Sequence, residues 1–226
     1  MKKETDNRPL SRPLRQCHTR KNMNTTYYCI RVSQPPYGKK NYIWSILQHN
    51  LIQCSCGIKH YIVPKGTPVL FEYPDVNKIA DGILCGDAHD FFYVSKKTKE
   101  AFENANITGI SFERVQAFHE KRKELHPLDF ECYLMIVDTE KEAMLDYKAM
   151  HLKRKNVCPI CDSGRLSRHR IFETIIKRDT LSNKDIIRVK HHKSKFICTQ
   201  KVVDTIKDNN LKGFETKDLS KMFSTY

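Results

Sequence analysis

Two separate stretches of the chain show the same order of hydrophobic and polar positions. In Phe92–Ser95 and again in Phe196–Thr199, apolar residues of strand character run into a Ser or Thr that can cap a helix. Apolar residues at helical spacing follow each cap, and then comes a glycine, Gly109 or Gly213, that can adopt positive φ and end the helix. A strand-like segment follows each glycine. The pattern therefore predicts strand, capped helix, glycine and strand, twice.

A shift of 104 residues aligns the two stretches without a gap. Few residues are identical, so chance similarity is the alternative, but the shared order of features favours an internal repeat. Two aspartates recur six residues apart before a strand, a position that favours turn and capping roles over paired catalytic carboxylates. The aligned pairs include Cys54 and Cys158, Asp75 and Asp179, Asp81 and Asp185, and Asn106 and Asn210.

Two short cysteine elements lie at equivalent points of this repeat. They are Cys54-Ser55-Cys56-Gly57 and Cys158-Pro159-Ile160-Cys161. A tight turn between two thiolates directs both sulfurs to one side of a metal, and Zn²⁺ takes four such ligands at tetrahedral angles. The two elements therefore predict one structural zinc whose ligands are Cys54, Cys56, Cys158 and Cys161.

Redox chemistry and cysteines without a function are the alternatives. A thioredoxin-like pair needs a helix N-terminus beneath it to lower the thiol pKa, whereas Cys161 leads into the turn-forming run Asp162-Ser163-Gly164-Arg165. The chain has nine cysteines, an odd number, and no apolar signal-peptide core, so reduced thiols are favoured over a disulfide framework. Cysteines in apolar runs, such as Cys198, are predicted to be small core residues.

Length and composition favour a globular, cytoplasmic protein. With 226 residues and 39% hydrophobic content, the chain can bury a core in one domain or in two halves. No stretch approaches the roughly 20 apolar residues needed to cross a bilayer, so no membrane contact is expected. Residues 1–25 are basic and polar and predict a flexible arm ahead of a first strand at Tyr27–Val32.

Basic residues cluster in two segments. Residues 1–40 contain ten Lys or Arg against two acidic residues, and residues 148–195 contain fourteen against four, within a net charge of +14. Lys and Arg bind nucleic acid by releasing counterions from phosphates, and Arg165, Arg168 and Arg170 lie beside the second cysteine element. No ββα finger or basic–aromatic platform accompanies them. A solvated surface, or a face for an acidic protein partner, is therefore the favoured interpretation.

Catalytic motifs are missing from the sequence. The histidines show no H-E-x-x-H spacing, and the chain contains no P-loop, dinucleotide-binding fingerprint or nucleophile elbow. An enzyme is therefore the least favoured class.

Taken together, these features resemble the double-CXXCG motif family, bacterial proteins regarded as immunity-type partners of polymorphic toxins, and related immunity families that share its repeated half. The resemblance spans most of the chain after Tyr27. It implies that the cysteines bind zinc and that the protein binds and neutralises a cognate toxin made by the same or a sibling cell. Gln53 stands where the family has its leading cysteine, and Asp162 replaces the glycine after Cys161. Because the first element is tighter, His60 is an alternative ligand and an empty, degenerate site is another.

The expected architecture follows from the repeat. It is an α+β fold of two related sheet-plus-helix halves in tandem, residues 26–147 and 148–226, joined at one shared zinc site. Tyr42–Leu47 and Leu134–Val137 are predicted strands outside the repeated part, and Gln116–Leu125 is a predicted surface helix.

The leading functional interpretation is a non-enzymatic, zinc-stabilised immunity protein whose toxin is encoded nearby. Its basic charge then implies a toxin with an acidic surface, or one that does not act on nucleic acid. The alternative is a zinc-containing nucleic-acid-binding regulator that uses its arm and the Lys153–Arg170 region.

Overall fold

The computed structural model describes most of the chain between residues 25 and 219. The predicted arm therefore lies almost wholly outside the described residues. Those residues are 25–32, 43–46, 50–57, 59–62, 64, 66–71, 75, 77, 79–83, 92–151, 153–160, 165–166, 175–190 and 196–219.

Short strands and two α-helices make up the described part of the chain. In chain order they are β1 Tyr27–Val32, β2 Ile43–Ile46, β3 Asn50–Gln53, β4 Lys59–Ile62, β5 Val69–Phe71, β6 Gly82–Ile83, β7 Phe92–Ser95, α1 Lys96–Asn104, β8 Ile110–Val115, β9 Ala117–Lys121, β10 Glu124–Pro127, β11 Cys132–Val137, β12 Arg154–Lys155, β13 Arg165–Leu166, β14 Ile186–Arg188, β15 Phe196–Thr199, α2 Gln200–Asp208 and β16 Phe214–Asp218. The predicted α+β class is confirmed, as are the strands near residues 27, 43 and 134 and both helices. Ser95 caps α1 by accepting a hydrogen bond from the N–H of Thr98 at 3.3 Å. Thr199 stands at the N-cap position of α2 without a side-chain capping hydrogen bond, and its hydroxyl donates to Asp185 instead. Neither helix in the described part of the chain is long and apolar enough to cross a membrane.

Two four-stranded antiparallel sheets form the centre of the fold. The first sheet has the order β6-β7-β11-β8, and the second has the order β14-β15-β1-β16. Their registers correspond at a shift of 104 residues: Gly82 lies opposite Val94, and Ile186 lies opposite Cys198. The third position is occupied by β11 in the first sheet and by β1 in the second. Because β1 precedes both stretches in the chain, the sheets do not confirm two halves in tandem.

Both sheets and both helices contribute to one core. The central cluster includes Phe102 of α1 and Val202 of α2, and the rings of Phe92 and Phe196 lie 4.5 Å apart between centroids. Phe92 and Phe196 occupy equivalent positions in the two sheets. The axis of a rotation that superposes one sheet on the other therefore passes close to the contact between these two rings. The opposite face of each sheet is also buried. The first sheet packs there on Val69 and its neighbours, and the second sheet packs on a separate cluster around Ile176.

The predicted helix over Gln116–Leu125 is wrong, because this segment forms the β9–β10 hairpin. Ala117 is buried and pairs in parallel with Val69 of β5, while His119 lies opposite His126 across the hairpin. A third sheet of order β10-β9-β5-β2 results. The segment is rich in helix-forming residues, but pairing with a buried strand outweighs that local preference.

Asp81 and Asp185 make matching contacts at the junction of the two sheets. Asp81 accepts hydrogen bonds from the Ser95 hydroxyl and from the backbone N–H of Lys212, both at 2.8 Å. Asp185 likewise accepts from the Thr199 hydroxyl at 2.9 Å and from the backbone N–H of Thr108 at 3.0 Å. Each carboxylate therefore joins the helix cap of its own sheet to the loop that follows the other helix.

Backbone hydrogen bonds at this junction also occur as a matching pair. The N–H of Ile186 donates to the carbonyl of Thr108 at 3.1 Å, and the N–H of Gly82 donates to the carbonyl of Lys212 at 2.9 Å. Each helix ends before an asparagine in the left-handed region, Asn106 with φ 51° and Asn210 with φ 48°. The asparagine, rather than the predicted glycine, is thus the first left-handed residue after the helix.

Gly109 and Gly213 instead permit the close approach of the two sheets. Their φ values are 89° and 87°, and a Cβ at Gly109 would overlap the carbonyl oxygen of Ile186. A Cβ at Gly213 would overlap the carbonyl oxygen of Gly82 in the same way. Only a residue without a side chain allows these backbones to meet.

We predict that Gly109→Ala destabilises the protein more than Gly66→Ala does. Both glycines have positive φ, but a Cβ at Gly66 meets nothing within 4 Å. The shared left-handed cost is about 1–2 kcal/mol, and the overlap at Gly109 adds about 1–3 kcal/mol. Urea unfolding of both variants measures the difference, and equal losses would contradict the close approach.

We also predict a pH dependence of stability that belongs to Asp185. Burial raises the pKa of Asp185, but hydrogen bonds from Thr108 and Thr199 and the nearby Lys201 ammonium outweigh burial and hold the pKa below its ordinary value. This carboxylate therefore stabilises the fold above the unfolded-state pKa of about 3.9, and that contribution is lost as the pH falls through the lower folded-state pKa.

Urea unfolding between neutral pH and pH 3 provides the measurement. Asp185→Asn should lower the free energy of unfolding by about 1–3 kcal/mol at neutral pH and flatten its decline on acidification. Asp129→Asn, which changes an exposed carboxylate, is the matched control and should follow the wild-type curve. An Asp185→Asn curve parallel to wild type would contradict the prediction.

Candidate metal centre

Two hairpins carry the cysteine elements. The first is formed by β3 and β4, and the second by β12 and β13. Their registers also correspond at the shift of 104 residues, because Asn50 lies opposite Ile62 and Arg154 lies opposite Leu166. In the first turn the N–H of Gly57 donates to the carbonyl of Cys54 at 2.8 Å, with Gly57 at φ 84°. Positive φ at this glycine closes the tight turn between the two cysteines.

Three cysteine sulfurs converge where the hairpins meet. The Sγ atoms of Cys54 and Cys158 are 3.6 Å apart, and the sulfurs of Cys54, Cys56 and Cys158 all lie within 4.8 Å of one another. Two thiolates on one tetrahedral zinc are about 3.8 Å apart, given a Zn–S distance of about 2.3 Å. A disulfide would require about 2.0 Å. The three sulfurs therefore have the chemistry and spacing to bind one metal ion.

The three cysteines differ in solvent exposure. Cys158 is buried, Cys54 is half-buried and Cys56 is exposed. A metal bound here would have its inner side against the protein and its outer side at the surface.

The fourth predicted ligand, Cys161, lies outside the described residues. The backbone of His60 is described as part of β4, but its side chain is not, so its role as an alternative ligand also stays a prediction. Of the arginines assigned to a nucleic-acid face, Arg165 belongs to β13, whereas Arg168 and Arg170 fall outside the described residues.

Cys198 has the core role predicted for it. It is buried within the central cluster, and burial raises the pKa of its thiol far above the ordinary value. A thiol in this state is protonated at neutral pH and is neither a nucleophile nor a metal ligand. Cys132 is likewise buried, in the cluster behind the first sheet.

The aspartates predicted for turns and caps have those roles. Asp81 and Asp185 accept hydrogen bonds from the capping residues Ser95 and Thr199, as described above. Asp75 accepts from the N–H of Asn77 at 3.2 Å, and Asp179 lies in the 3₁₀ turn Arg178–Thr180. None of the four belongs to the cysteine cluster.

The sequence patterns did not predict the surface of the β9–β10 hairpin. His119 and His126 stack there with ring centroids 5.3 Å apart. No local signal indicated the hairpin, because Ala117-Phe118 is followed by three polar residues without alternation, and neither Arg122 nor Lys123 is a glycine or asparagine of the kind that normally marks a two-residue hairpin turn.

A protein-family model matches most of this chain. The model of an immunity protein family, Imm11, matches residues 53–221, which is well over half of the chain and includes both cysteine elements and both helices. No curated protein matches the chain. The immunity-type character implied by the sequence is thereby supported, although the double-CXXCG motif itself is not shown. The chain belongs to the Imm11 immunity protein family.

Proposed function

We propose that this chain is a zinc-stabilised immunity protein that binds a cognate toxin in the cytoplasm and neutralises it. Membership of the Imm11 immunity protein family is the observation that carries the proposal. Neutralisation here means occupation of the toxin by a tight protein interface, without a chemical reaction. The chain's net charge of +14 suits a toxin with an acidic surface.

We assign the metal as Zn²⁺, bound by Cys54, Cys56 and Cys158 with Cys161 as the fourth ligand. The support is the donor set, since thiolates at tetrahedral spacing are typical of structural zinc. Four protein ligands leave no position for substrate, so bound zinc supplies stability and no catalysis. The chain's own contribution is the two hairpins, whose strand pairing holds the cysteine sulfurs close together before a metal binds.

The proposed halves, residues 26–147 and 148–226, fold as one unit in this proposal. The shared core supports this, because neither sheet buries its helix-bearing face alone. The position of β1, a strand of the first half that pairs within the second sheet, supports it as well.

We predict that Cys54→Ser and Cys158→Ser each reduce bound zinc well below one ion per chain. The free energy of unfolding should fall by several kcal/mol, because metal binding energy contributes directly to folding. Elemental analysis of purified protein, with urea unfolding on the same samples, makes the measurement. Cys161→Ser tests the fourth ligand in the same way.

Cys198→Ala is the control for cysteine loss. It removes a buried thiol from the core and should lower stability while leaving the zinc content unchanged. Full zinc content in the Cys54 and Cys158 variants would sink the metal assignment without affecting the family membership.

The toxin proposal predicts a one-to-one complex with the toxin domain encoded beside this gene. Purified protein should bind that domain with a dissociation constant in the nanomolar range or below and abolish its toxicity when the two are co-expressed. Titration calorimetry and growth assays give the two readouts. Failure of folded, zinc-replete protein to bind would contradict the proposal, and tight nucleic-acid binding with a steep salt dependence would favour the regulator instead.

A further inference from the structure

The β9–β10 hairpin, residues 117–127, is an addition to an otherwise matched pair of sheets. It lies in the connection from β8 to β11. The corresponding strands of the second sheet, β16 and β1, are also neighbours, but β1 comes from earlier in the chain, so no such hairpin joins them. The fold of the second sheet shows that this strand order does not require the hairpin.

The base of the hairpin is packed and its tip is exposed. Ala117 is buried behind the first sheet, whereas Glu120 and Lys121 are exposed. At the tip, Lys121 lies opposite Glu124, which leaves a two-residue turn of Arg122 and Lys123.

That turn has an unfavourable sequence. Arg122 and Lys123 have φ values of 53° and 67°, so both lie in the left-handed region. Two-residue hairpin turns of this kind strongly favour Asn-Gly or Asp-Gly, because side chains are disfavoured there. Local backbone cost of this type is found at functional positions, where the side chains have a use that outweighs it.

The side chains at the tip are suited to a protein partner. Arg122 and Lys123 are exposed, and neither has a carboxylate directly opposite it, unlike Lys121. Leu125, on the hairpin face shared with Phe118 and Pro127, is 49% exposed. The hairpin therefore combines two cations with an apolar side chain behind them.

The strand edge itself is blunted. Within the described sheet, β10 is an edge strand that pairs with β9. It ends in Pro127, which has no N–H to donate, and it begins with charged Glu124. A partner would therefore meet the side chains of the hairpin and not extend the sheet.

We propose that the tip of the 117–127 hairpin docks on the cognate toxin, with Arg122 and Lys123 against carboxylates at the rim of an apolar recess that receives Leu125. This proposal rests on the toxin-binding function and adds its location. The positive net charge of the chain and the two exposed cations of the turn favour an acidic partner surface, although exposed Glu120 and Glu124 flank the turn. Steering by these cations sets the association rate, and burial of Leu125 slows dissociation.

The double variant Arg122→Asn with Lys123→Gly tests the cations without harming the fold. Asn-Gly is the preferred sequence for this turn, so the variant should unfold at a higher urea concentration than wild type. Its association rate with the purified toxin domain should fall about tenfold and become less sensitive to salt. Stopped-flow or surface-plasmon-resonance kinetics at two salt concentrations measure both effects.

The matched control is the double variant Lys207→Gln with Lys217→Gln. It removes the same charge from exposed positions on α2 and β16 and should bind within about twofold of wild type. Leu125→Thr is the second test, because Thr retains strand preference at an exposed site. It should raise the dissociation rate about tenfold or more with little change in stability.

Wild-type kinetics for both hairpin variants would overturn the docking site while leaving toxin binding intact. Equal loss in the Lys207 and Lys217 control would show that net charge, not the hairpin, drives association, and would also overturn it. If folded wild-type protein does not bind the toxin domain, the proposed function fails and the docking site fails with it.

Discussion

The two central sheets are held together by a reciprocal contact, in which an aspartate of each sheet binds the loop that follows the helix of the other sheet. Asp81 and Asp185 each bind their own helix cap and a backbone N–H from the opposite sheet. The glycines at positions 109 and 213 let the backbones close on one another. With both loops in place, Ile107 and Leu211 enter the shared core. Packing of the helices and alignment of the sheets follow from this junction.

The cysteine cluster obeys the same near-symmetry as the core. Phe92 contacts its equivalent Phe196, and Cys54 contacts its equivalent Cys158. A residue that touches its own counterpart lies near the axis relating the two copies. A metal at the cysteines would therefore reinforce the junction at a second point, by joining hairpins that lie far apart in the chain. The 117–127 hairpin, which we propose as the docking site, lies outside this near-symmetry.

Local patterns predicted those elements whose residues carry their own signals. Caps at Ser95 and Thr199 with apolar helical faces indicated α1 and α2, and alternation of β-forming residues indicated β1 and β11. The hairpin over residues 117–127 could not be predicted in this way. Its residues favour a helix, but pairing of Ala117 with Val69 outweighs that preference. This contact joins residues far apart in the chain, so no short stretch of sequence reveals it.

The residue types and spacing of the two cysteine elements, and the shift of 104 residues between similar features, could be read from the amino-acid sequence. Spacing and residue type are local properties, so they can be read without coordinates. Only the folded chain shows that β1 joins the second sheet, that Cys54 and Cys158 meet, and that Arg122 and Lys123 form an exposed tip. These depend on pairing between distant strands, whose free energy comes from burial that exists only once the whole core has formed.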